Sequence, residues 1–171
     1  MVNMNVRTSR YCRELAADSP VRSPFDKVLS LGFYDGTTSG AAQCSHCAAA
    51  YRYELVAWDS GQDVKIYSIA ALPIDSFETL VTLVSAGGEP NWPLWLPKLA
   101  GSDSDQKRLL VAIQEELDKA EKPKCVVASR NFEKEVLKGK ELTEVARTKL
   151  PRDQVYPDPQ SWDFWRAYLE I

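Results

Sequence analysis

A chain of 171 residues, 44% hydrophobic and 26% charged, is long enough for one domain with a sizeable core and is ordinary in globular composition. Its net charge of −3 is spread out, and the strongest cationic cluster, Arg7, Arg10 and Arg13, is interrupted soon by Glu14. Nucleic acid is therefore not an expected partner, because neutralising phosphates takes a basic patch.

No apolar run approaches the roughly 18 residues that span a bilayer. Met1 to Asp18 lacks the hydrophobic centre of a secretory signal, so a cytoplasmic protein is expected. Cysteines there are usually reduced, which makes Cys12, Cys44, Cys47 and Cys125 thiols or metal ligands before they are disulfides. Residues 1–24 read as an N-terminal arm that ends in two Ser-Pro pairs, Ser19-Pro20 and Ser23-Pro24. One domain over 25–156 is expected to follow, with 157–171 as an aromatic tail or short helix.

Lys27 to Tyr34 mixes β-branched, aromatic and polar residues in the manner of a strand, and Asp35-Gly36 is a turn signal. Thr37 to Gln43 is expected to be a short second strand, with Gly40 marking a bulge or a close backbone approach. In Tyr51 to Trp58, Tyr51, Tyr53, Leu55 and Ala57 alternate with Arg52, Glu54, Val56 and Trp58, the period of a half-buried strand. Val64 to Leu72 is a further strand, so residues 25–72 predict a meander of about four strands.

From Pro73 the period changes. Asp75 followed by Glu78 suggests a capping box, and Phe77, Leu80, Val81 and Val84 form a helical stripe that Gly87-Gly88 stops. A second helix is expected from near Ser102, with Leu109, Leu110, Ile113 and Leu117 on one face, ending by Lys122-Pro123. Lys124 to Ser129 is a short apolar strand able to join the sheet. A third helix from Asn131, bent or broken at Gly139, would bury Val136, Leu137, Leu142 and Val145. The resulting expectation is α+β: a mostly antiparallel sheet of four or five strands, about three helices on one face, and an aromatic C-terminal segment.

Cys44-Ser-His-Cys47 is the chemically distinctive stretch, and three readings of it stay open. Two thiolates two residues apart are half of a zinc knuckle, with Cys12, Cys125 and His46, the one histidine, as the remaining candidate ligands. The motif also resembles the active site of thioredoxin-fold thiol oxidoreductases. That resemblance covers four residues and implies Cys44 as nucleophile, Cys47 as resolving thiol and His46 as a pKa modifier. It further implies a helix opening after the motif, whereas Ala48 to Trp58 reads as a strand. The third reading makes both cysteines small hydrophobes at a tight turn.

Two aromatic segments remain. Asn91-Trp-Pro-Leu-Trp-Leu-Pro97 is stiffened by its prolines and projects Trp92 and Trp95 from a loop, either as a lid over the core or as a contact surface. In Ser161 to Ile171, a helical spacing would set Trp162, Trp165 and Leu169 on one face with Tyr168 beside them, to dock on the domain or in a partner's groove. No phosphate loop, Gly-x-Ser-x-Gly elbow or multi-histidine metal motif occurs.

The leading expectation is a non-enzymatic accessory, regulatory or inhibitor-type protein that contacts another protein through Trp92, Trp95, Trp162, Trp165 and Tyr168. In general composition it is similar to small acidic inhibitors such as immunity proteins. A structural zinc at Cys44 and Cys47 would be compatible with this role. The alternative is a thiol–disulfide oxidoreductase using Cys44 and Cys47.

Overall fold

The computed structural model describes residues 25–33, 36–59, 64–96, 101–123, 125–129 and 139–141. Chain order begins with four strands, β1 (Lys27–Phe33), β2 (Thr37–Gln43), β3 (Ala50–Asp59) and β4 (Val64–Leu72). Helix α1 (Ile74–Ser85), the two-residue β5 (Leu94–Trp95) and helix α2 (Asp103–Leu117) come next, followed by β6 (Cys125–Ser129) and β7 (Gly139–Glu141). They form one sheet in the order β5-β1-β2-β3-β4-β6-β7. Its body is the antiparallel meander of β1 to β4 extended by β6, while β5 pairs parallel to β1 and makes the sheet mixed. No helix among the described residues is long and apolar enough to cross a membrane.

The α+β expectation holds in outline, with differences that have local causes. Helix α1 has no side-chain cap: Pro73 is its N-cap residue, and the Ser76 and Phe77 amides donate to the Pro73 carbonyl. Buried Ile74 draws the helix start ahead of Asp75, which therefore lies inside the first turn instead of capping it. There its charge still meets the positive helix end. The capping box instead forms at α2, where Ser102 Oγ accepts from the Asp105 amide at 3.3 Å and Asp105 Oδ2 accepts from the Ser102 amide at 3.4 Å. Leu110, placed by its spacing on the buried face of α2, is 45% exposed, and Ile113 and Leu117 are buried.

Two helices stand among the described residues. Gly139, expected inside a third helix, opens β7, which pairs antiparallel with β6. Glycine is a poor helix residue, and an edge strand offers its neighbour unpaired backbone groups to satisfy. The rest of that expected helix, the N-terminal arm and the C-terminal segment with Trp162, Trp165 and Tyr168 lie outside the described residues.

Both faces of the sheet are buried at its centre, and every residue from Lys65 to Leu72 in β4 is buried. One face receives both helices. Leu29, Ala41, Ala50 and Leu72 pack there against Phe77, Leu80 and Val84 of α1 and Ile113 and Leu117 of α2. The opposite face gathers Val28, Ala42, Tyr51, Tyr53, Tyr67, Ile69 and Val127 with Phe25 and Cys44, and neither helix contributes to that cluster. Phe25 meets Tyr51 edge-on at 5.2 Å, and Tyr53 meets Tyr67 at 5.9 Å.

Buried phenols need hydrogen-bond partners, and Tyr53 and Tyr67 find them in the strands themselves. Tyr53 Oη lies 2.6 Å from Thr37 Oγ1 and donates to the Leu29 carbonyl at 3.2 Å; Ser30 Oγ lies 2.7 Å from Thr37 Oγ1. A donor order from Ser30 through Thr37 and Tyr53 to the Leu29 carbonyl gives every hydroxyl an acceptor. Tyr67 Oη donates to the Thr37 carbonyl at 2.8 Å. Gly40 makes this reach possible. It pairs with Ser30 on one side and Tyr53 on the other, and a Cβ there would run into the Leu29 carbonyl and stand 2.8 Å from Tyr53 Oη. The phenol of β3 crosses β2 at the one position that lacks a side chain.

Candidate functional site

Two places concentrate chemistry that the core does not consume: the turn between β2 and β3, and the β5 edge. In the turn, the Ala48 amide donates to the Cys44 carbonyl at 2.8 Å, closing one helical turn, and Ala48 has the left-handed φ of 60° that ends it. The Cys44 amide donates to the Ala49 carbonyl at 3.0 Å, so the loop is sealed at its base as well. Gln43 Nε2 donates to the Ala48 carbonyl at 3.1 Å. Asp26, next to β1, holds the outer side: its Oδ1 accepts from the Ser45 amide at 2.7 Å, and its Oδ2 accepts from Ser45 Oγ. The result is a six-residue connection with little freedom left in its backbone.

Cys44 is fully buried in the tyrosine-face cluster, Cys47 is half-buried and packs against that cluster, and His46 is exposed. Neither cysteine takes part in a disulfide. The motif leads into β3, where a thioredoxin-type site would open a helix. Among the described residues no group of three or more His, Cys, Asp or Glu side chains is placed to hold a metal ion. The additional ligands that a zinc knuckle would need, Cys12 and the Cys125 side chain, lie outside the description; Cys125 enters through its backbone, opposite Ile69 in β6.

At the other end of the sheet, the Asn91–Leu96 segment divides its aromatics between two tasks. Trp92, half-buried, stacks on Phe77 with ring centroids 6.0 Å apart, and Trp92, Leu94 and Leu96 all pack on the helix-side core. The peptide bond from Trp92 to Pro93 is cis. The Leu96 amide donates to the Ser30 carbonyl at 2.8 Å and, with Leu29 and Ser30 registered against Leu94 and Trp95, lays the segment along β1. Trp95 alternates to the opposite side. It is 39% exposed and meets Phe33, itself 67% exposed, edge-on at 5.4 Å. The expected contact residues are thus split: Trp92 is half given to the core, and Trp95 is presented at the surface.

Phe33 was not among the residues the sequence singled out. Its parity places it with Leu29 and Leu31 on the helix side, but the β1–β2 register shifts between Ser30 and Gly32 and again between Gly32 and Phe33. These irregularities carry Phe33 across to the Trp95 side. The signal was Gly32, since glycine inside a strand often marks a bulge. A cleft of about 270 Å³ is lined in part by Arg52, Glu54, Ser68 and Glu121. Its arginine is occupied at long range by Asp118, 3.4 Å away.

Comparison of the chain with protein-family models, with curated proteins and with solved structures gave no match.

Proposed function

We propose that this chain is a non-enzymatic accessory, regulatory or inhibitor-type protein that works by binding another protein, with the exposed Phe33–Trp95 pair as part of the contact surface. One observation carries this reading. Two large aromatic side chains stand together in solvent beside a short edge strand, while Trp92 of the same segment is tucked against the core. Aromatic anchors of this kind dominate the energy of protein interfaces, and a rigid backbone under them lowers the ordering cost of binding. Trp162, Trp165 and Tyr168 remain part of the proposed surface on the strength of their sequence. The same reading sets the protein in the cytoplasm, where resting thiols are usually reduced.

The test is affinity capture from lysate of the source cells with the wild-type chain and the Phe33→Ser/Trp95→Ser variant. A specific protein retained by the wild type and lost by the variant, with thermal unfolding unchanged, supports the reading. Equal retention by both chains would remove this pair from the surface.

A further inference from the structure

Beyond partner binding, we infer that Cys47 is a thiol modification site and that Cys44 resolves the modification into a Cys44–Cys47 disulfide, reversing the roles that the motif's resemblance assigns. The geometry of the turn is the first support. A backbone turn closed by the Ala48 amide on the Cys44 carbonyl has α-helical character, and residues three apart in such a turn have Cα atoms about 5 Å apart. Bridgeable cysteine pairs span roughly 4.4–6.8 Å. The bridge can therefore close with the turn's hydrogen bonds in place, and both cysteines already belong to or pack on one cluster.

The difference in burial is the second support, and it sets the order of events. Cys44 is fully buried and Cys47 is half-buried, so a reagent arriving from solvent meets Cys47 first. Disulfide exchange needs access to the attacked and attacking sulfurs. With a low-molecular-weight disulfide such as oxidised glutathione as oxidant, the Cys47 thiolate attacks one sulfur. A mixed disulfide forms on Cys47, and one glutathione thiolate leaves. Cys44, having lost its proton, then attacks Cys47 Sγ, the protein disulfide forms and the second glutathione thiolate leaves. Two protein thiols are oxidised and one glutathione disulfide is reduced to two thiols. The two protons released by Cys44 and Cys47 pass to the departing thiolates.

The bridge would lock the β2–β3 connection that Asp26 already tethers to the base of β1, at the margin of the tyrosine face. It uses none of the exposed aromatic residues, so it stands or falls apart from the proposed contact surface.

The experiment treats the intact native chain with oxidised glutathione, traps remaining thiols by alkylation and maps tryptic peptides. Val28–Arg52 contains both Cys44 and Cys47 and no internal cleavage site, whereas Cys12 and Cys125 fall in other peptides. The expected result is a Val28–Arg52 peptide lighter by two hydrogens, restored by dithiothreitol. Native alkylation by iodoacetamide should reach Cys47 faster than Cys44, by on the order of tenfold, as burial dictates. Cys44→Ala, a small apolar replacement for a buried thiol, should accumulate glutathione on Cys47. Because that variant can fail to fold, the wild-type alkylation order stands as an independent readout. Equal alkylation rates, glutathione accumulating on Cys44, or a bridge from either cysteine to Cys12 or Cys125 would overturn the inference.

Discussion

The two faces of the sheet are buried to a similar degree and held by different physics. On the helix side, aliphatic residues and Phe77 interlock between strands and helices, and the stabilisation follows apolar area and packing. On the tyrosine side, the large rings bring hydroxyls inside, and those of Tyr53 and Tyr67 are satisfied by neighbouring strands. The first arrangement tolerates a change of shape at the cost of a cavity. The second is specified atom by atom, because a misplaced phenol leaves a buried donor without an acceptor. The thiol turn packs on the tyrosine face through Cys44 and Cys47.

Four substitutions would break or sharpen that contrast, each read by urea unfolding. Gly40→Val should have the largest effect, loss of the folded state, since its side chain would occupy the path of Tyr53 and the Leu29 carbonyl. A mild effect would mean that the phenol does not need the gap. Leu80→Ala, fully buried on the helix side, should cost about 2–5 kcal/mol through a cavity. Tyr53→Phe keeps the ring and removes the hydroxyl shared by Thr37 and Leu29, so a loss of about 1–2 kcal/mol is expected. No loss there would show that the hydroxyl chain contributes nothing net, and that the two faces are energetically alike. Ser102→Ala removes the N-cap of α2 away from both clusters and should cost about 1 kcal/mol, the baseline for an exposed local change.

The meander was legible because alternation and turn chemistry act locally. β2 and β4 run over the residues their sequence predicts, and β1 covers Lys27–Phe33 of its expected span, with Tyr34 outside the described residues. What escaped depends on pairing between distant residues. The register shift between Leu55 and Ala57 interrupts the strict alternation of β3, so Val56 is buried although its parity sets it beside exposed Glu54. A bulge is fixed by two strands together, and one strand's periodicity does not record it. Gly40 announced a close approach, but not that Tyr53 is the side chain needing the room. At α1 the carboxylate pattern of Asp75 and Glu78 was real, yet burial of Ile74 decided where the helix begins.

The candidate site was half legible. Cys44, Cys47 and Trp95 were found from residue type and spacing. Phe33 was hidden by the irregularity at Gly32, and the unequal burial of the two thiols is a property of packing that a four-residue motif does not contain. Trp92 and Trp95 look equivalent in sequence because Pro93 and Pro97 make the whole segment extended. Only the parallel pairing of Leu94 and Trp95 with β1 separates a ring on the core from a ring in solvent.

The central claim, that the Phe33–Trp95 corner is where this protein meets its partner, is tested most directly by site-specific photo-cross-linking in the source cells. A benzophenone amino acid replaces Phe33 in one variant and exposed Glu115 on the outer side of α2 in another. The account requires a discrete protein adduct from position 33 and none from position 115. No adduct at position 33, or the same adduct from both positions, would contradict it.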